Sequence, residues 1–64
     1  MDDAEADISD EQLEVLRRRY TEARRAGLTI AEATLFAESD ADVGELRRLV
    51  RDGCPVETLR LIVL

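Results

Sequence analysis

Sixty-four residues hold fifteen acids, nine arginines, one cysteine and no histidine or lysine. That length allows one small domain. It buries only about 60% of the surface its unfolded chain exposes, so stability when alone is marginal. Cys54 has no partner for a disulfide within one chain, and the lack of histidine excludes Cys–His catalysis and histidine-based metal sites. The net charge of −6 is uneven: Asp2, Asp3, Glu5, Asp7, Asp10 and Glu11 crowd the first eleven residues, and the chain from Gln12 onward balances nine acids with nine arginines.

Residues 1–8 are expected to form an acidic, flexible tail that aids solubility or contacts basic groups. Residues 9–64 are expected to form a single helical domain. Ser9 with Gln12 predicts a capping box, and Ile8 with Leu13 a hydrophobic staple. A helix over about 9–26 then carries a stripe of Leu13, Leu16, Tyr20 and Ala23 toward the core, with Glu14 and Arg18 as an i,i+4 pair. Gly27 stops it.

Thr29 and Glu32 predict a second capping box for a helix over about 30–38. Its apolar face is Ile30, Ala33, Phe36 and Ala37, flanked by Leu28 and Leu35; Phe36 is the expected core centre. Glu38-Ser39-Asp40-Ala41-Asp42 is turn-forming sequence, because these side chains bond nearby backbone N–H groups. Asp42 and Glu45 open a helix over about 43–52, with Val43, Leu46, Leu49 and Val50 inward and Arg47, Arg48 and Arg51 outward. Gly44 weakens its first turn and suits close packing against the preceding helix. After Gly53, Pro55 at N1 and Glu57 at N3 start a helix over about 55–63, striped by Val56, Leu59, Ile62 and Val63. Leu61 and Leu64 fall outside that stripe. The fold class is therefore all-α, a compact bundle of three to four short helices.

The chemistry-bearing residues are sparse. The hydroxyls of Ser9, Thr21, Thr29, Thr34, Ser39 and Thr58 have no histidine or lysine to activate them. Asp40, Asp42 and Gly44 resemble the start of a calcium loop, but the glycine comes one place early and the twelfth position is Arg51. No glycine-rich phosphate loop occurs. The expectation is a protein that is not an enzyme, with no cofactor, metal or small-molecule substrate. The first ten residues are acidic and lack a basic leader, and Leu61 to Leu64 falls far short of the roughly 20 apolar residues a membrane span needs. A cytoplasmic protein with no membrane partner is expected.

Residues 29–51 resemble a helix-turn-helix. Ala33 matches the small residue of the first helix, Ala37 stands where a turn glycine is usual, and Val43 and Leu46 match the apolar pair of the second. The run Leu28 to Ala33 is similar to openings in excisionase-like and repressor-like DNA-binding domains. The resemblance implies a DNA-binding regulator. Two features depart from it: Glu38 replaces an apolar residue, and Asp40, Asp42 and Glu45 stand where base-contacting residues would approach phosphates. Gly27-Leu28, Ala33 and Asp42-Val43 also resemble ubiquitin-associated-like domains, which implies a three-helix packing.

Two surfaces stand out. Leu59, Leu61, Ile62, Val63 and Leu64 give the last helix more apolar surface than one face hides, and form the expected interface. Arg47, Arg48 and Arg51 form the expected basic patch, joined by arginines of the first helix. The preferred reading is a non-catalytic protein-interaction or regulatory module that binds a protein partner or itself as a homodimer. DNA binding through residues 29–51 is the alternative.

Overall fold

A computed structural model describes residues 9–64. Among these residues the regular secondary structure is entirely α-helical: α1 (Asp10–Arg25), α2 (Ile30–Glu38), α3 (Val43–Arg51) and α4 (Val56–Val63). The all-α fold and the four spans agree with the sequence reading. The acidic segment 1–8 and the staple at Ile8 lie outside the described residues.

Local hydrogen bonds set the boundaries. Ser9 Oγ accepts from Gln12 N at 3.1 Å, and Gln12 Oε1 accepts from Ser9 N at 3.1 Å. Thr29 and Glu32 repeat the exchange at 3.1 and 2.9 Å. Asp42 caps α3 by itself, Oδ1 accepting from Gly44 N at 2.9 Å, without the expected return bond from Glu45. Pro55 is the N-cap of α4 rather than its first residue: its backbone is extended, and its carbonyl accepts from Leu59 N at 2.9 Å.

Both glycine stops are Schellman motifs. Gly27 N donates to Arg24 O and Leu28 N to Ala23 O at 3.0 and 3.1 Å; Gly53 N and Cys54 N do the same to Val50 O and Leu49 O, each at 3.0 Å. Gly27 has φ +105°, and a Cβ there would sit 3.2 Å from Val56 Cγ2. Glycine thus supplies both the left-handed turn and the room for α4 to reach the α1–α2 corner.

The core is Phe36, Leu28, Leu46 and Leu59, completed by Ala23 and Ala33. α2 folds back along α1, α3 packs on α1, and α4 packs on α3. Small residues at Ala23, Ala33 and Ala37 let α1 and α2 approach closely. Arg19 of α1 fastens the end of α2. Its Nε donates to Ala37 O at 3.2 Å, and its Nη2 donates to Phe36 O and Ser39 O, each at 3.0 Å. Its guanidinium carbon stands 4.8 Å from the centre of the Phe36 ring. Arg60 ties α4 to α2 through a two-point ion pair, Nε to Glu32 Oε2 at 2.8 Å and Nη2 to Glu32 Oε1 at 3.2 Å.

Several inward assignments are corrected. Leu13 is exposed, because the nine residues of α2 run back only as far as the middle of the sixteen-residue α1. Ile30 is 64% exposed and Leu28 takes its place in the core, since the turn at Gly27 aims the following residue back under α1. Val50 and Ile62 sit at the edges of their stripes and are exposed. Gly44 faces no helix: a Cβ would meet the Asp42 carboxylate at 3.3 Å. Glu14 pairs with Arg17 at 3.8 Å rather than with Arg18.

Two expectations follow. Arg19→Ala should lower stability by about 2 kcal/mol, because charge-assisted bonds to a helix end are lost together. Urea unfolding checks this against Arg18→Ala, and equal midpoints would contradict the role given to Arg19. The second concerns Glu32. The backbone N–H of Thr29, then the Arg60 guanidinium, hold its carboxyl below the ordinary carboxylate range. Folding lowers this pKa, so the linked stabilisation is complete above the ordinary carboxylate value and is lost as pH falls through the lowered one. Glu32→Gln should therefore flatten the acid limb of the stability–pH profile, and an unaltered limb would count against the pairing.

Candidate functional site

α4 divides its apolar residues between two sides. Successive residues turn by about 100° around a helix. Leu59, fully buried, therefore shares its side with Val63, which is half-buried against the core. Leu61 lies about 200° round from Leu59 and is 82% exposed. The expected five-residue interface is thus corrected at Leu59: that side chain is fully buried in the core and offers no surface. Leu61, Ile62 and Leu64 remain on the surface.

A residue absent from the sequence-based interface joins Leu64. Leu35 points away from the core face of α2 and is 61% exposed. With Val63, Leu64, Ala41 and Ser39 it lines a shallow cavity of about 370 Å³ between the ends of α2 and α4. Its sequence signal was its place outside the Ala33–Phe36–Ala37 stripe. Only the docking of α4 beside α2, held by Glu32 and Arg60 one turn away on each helix, makes Leu35 and Leu64 neighbours.

The arginines of the expected basic patch are all exposed. Arg47 pairs with Glu22 of α1 at 3.3 Å, with Glu22 the more covered partner. Arg47 and Arg51 line a second cavity, between α1 and α3, where Arg25 joins them; Arg48 is not part of its lining. Of the helix-turn-helix resemblance, the structure shows two helices, α2 and α3, separated by residues 39–42. The start of α3 nevertheless presents exposed Asp40 and Asp42, while the arginines come a turn or more later.

A further cavity, about 670 Å³, is an open hollow where Val15, Leu16 and Arg19 of α1 face Ala37 to Asp40. Its hydroxyl, Ser39 Oγ, donates to Phe36 O at 2.9 Å and accepts from Ala41 N at 3.1 Å, which closes the helix end. Cys54 is free, half-buried against the core, with Sγ donating to Pro55 O at 3.6 Å. Among the described residues no cluster of three or more acids and cysteines is arranged to hold a metal ion, and no helix is long and apolar enough to cross a membrane.

Compared with known protein families, curated proteins and solved structures, the chain matches none of them.

The division of α4 has a direct test. Leu59→Ala should cost about 2–4 kcal/mol by opening a cavity in a core of this size. Leu61→Ala should change stability by no more than about 0.5 kcal/mol. Thermal or urea unfolding of the two variants reads the difference, and similar losses would mean that Leu61 is buried too.

Proposed function

We propose that this chain is a non-catalytic protein-interaction module that pairs with a second copy of itself through the outer surface of α4 and α2. The observation that carries the reading is the exposure of Leu61, at 82%, on the same helix end as exposed Ile62 and Leu64, the last of which lines a cavity with exposed Leu35. Contiguous exposed leucines cost solubility and mark an interface when a protein retains them. A pairing of two identical faces is self-complementary by symmetry. A specific interface takes about 500 Å² or more from each partner, roughly a tenth of the 4575 Å² each copy exposes. Pairing also relieves the marginal burial of a short chain, because association stabilises the folded form by mass action.

The nucleic-acid reading of residues 29–51 is the second. The spacing of α2, turn and α3 favours it, and the carboxylates at the start of α3 oppose it. Duplex affinity that falls steeply with salt and weakens in Arg48→Ala would support it.

Sedimentation equilibrium tests self-association. The mass should rise with concentration toward that of a dimer, and Leu61→Ser and Leu64→Ser should each return it to the monomer value. A monomer mass at every concentration would overturn the proposal.

A further inference from the structure

The groove between the C-terminal half of α1 and α3 shares no lining residue with the apolar surface of α4. Its rim carries Arg25, Arg47 and Arg51. Its apolar lining is Ala26, Leu46 and Val50, with Leu46 fully buried and Val50 half exposed. Glu22 is the single acid in the lining, and it is engaged by Arg47. The local balance is therefore positive on a chain whose net charge is −6. Among the described residues, Arg25 and Arg51 make no salt bridge. Three cations around an exposed valine are the complement of an acidic segment with an apolar side chain.

We infer that this groove docks a short acidic peptide segment of another protein, with carboxylates on Arg25, Arg47 and Arg51 and an aliphatic side chain on Val50. The size of the groove, about 250 Å³, admits one or two side chains. Arg47 and Arg51 stand one turn apart on α3, so neighbouring carboxylates of a peptide meet them in turn. A long polyanion is a poorer fit. A duplex tracking along α3 would run onto Asp42 and Asp40, whose exposed carboxylates repel phosphates. A short peptide covers the arginines alone.

The test uses the full chain, isotope-labelled, titrated with a capped Glu-Glu-Leu-Glu-Glu peptide and followed by amide chemical shifts. Shifts should concentrate at Arg25, Ala26 and Arg47 to Arg51. Affinity should fall as salt is raised, since the contacts are exposed. Arg47→Glu and Arg51→Glu should each weaken binding by roughly five- to tenfold. Arg51→Gln, which leaves the Arg47–Glu22 pair in place, should weaken it by a smaller factor. Leu61→Ser should leave the affinity unchanged, which keeps this result separate from that of self-association. No shift at saturating peptide, or shifts centred on Leu61 to Leu64, would overturn the inference. So would tighter binding of a short DNA duplex to the same residues. A shift at Ala26 and Val50 in peptide-free protein on replacing Asp2, Asp3, Glu5 and Asp7 by their amides would assign the groove to the chain's own acidic segment and overturn it as well.

Discussion

Arg19 sits where the two longest-packed elements meet, and it acts on the backbone rather than on another side chain. The last carbonyls of α2 have no partner within the helix. Phe36 O, Ala37 O and Ser39 O accept from the guanidinium of Arg19, Phe36 O alongside Ser39 N, and the guanidinium carbon stands over the Phe36 ring. The guanidinium thus combines planar donors with a cation matched to the negative end of the helix dipole. It sets how far α2 extends along α1, and with that the position of Phe36 in the core. The direction of the turn toward α3 follows, because Ser39 continues the same network through Phe36 O and Ala41 N.

The rest of the molecule follows from a core that is full with few side chains. Phe36, Leu28, Leu46 and Leu59 occupy the space that four short helices enclose, and two alanines close the gaps. A chain this short cannot also bury Leu13, Ile30, Leu35, Val50, Leu61, Ile62 and Leu64, so its surface retains a large apolar content. Those residues are not scattered evenly. Leu35 and Leu64 line one cavity between α2 and α4, Leu61 stands exposed on α4, and the α1–α3 groove sets Val50 among arginines. The two surfaces differ in chemistry, one apolar and one basic with an apolar centre.

Much of the fold was legible in the chain itself. Helix starts were announced by Ser9 with Gln12, Thr29 with Glu32, and Asp42, because a capping residue needs only neighbours a few positions away. Stops were announced by Gly27 and Gly53 for the same local reason. The choice among apolar residues was less legible. Periodicity could not separate Leu28 from Ile30, since the decision rests on where a left-handed turn aims the residue after it. It could not exclude Leu13 either, because the relative lengths of α1 and α2 decide which part of a stripe finds a partner. The excess of apolar residues on the last helix was legible, while the side of each one depended on which face α4 presents to α3.

By itself, then, the sequence determined the helical class, the approximate limits of the helices and the residue types the chain lacks, since caps, glycine stops and missing residue types are local or compositional properties. Only the tertiary structure decided that Leu59 is core and Leu61 is surface, that Leu35 joins Leu64, and that Arg25 meets Arg47 and Arg51. It also gave Arg19 its role, through contacts seventeen to twenty residues away along the chain. Those outcomes depend on the order in which helices are laid against one another, and packing sets that order through shape and volume rather than through any pattern within a single helix.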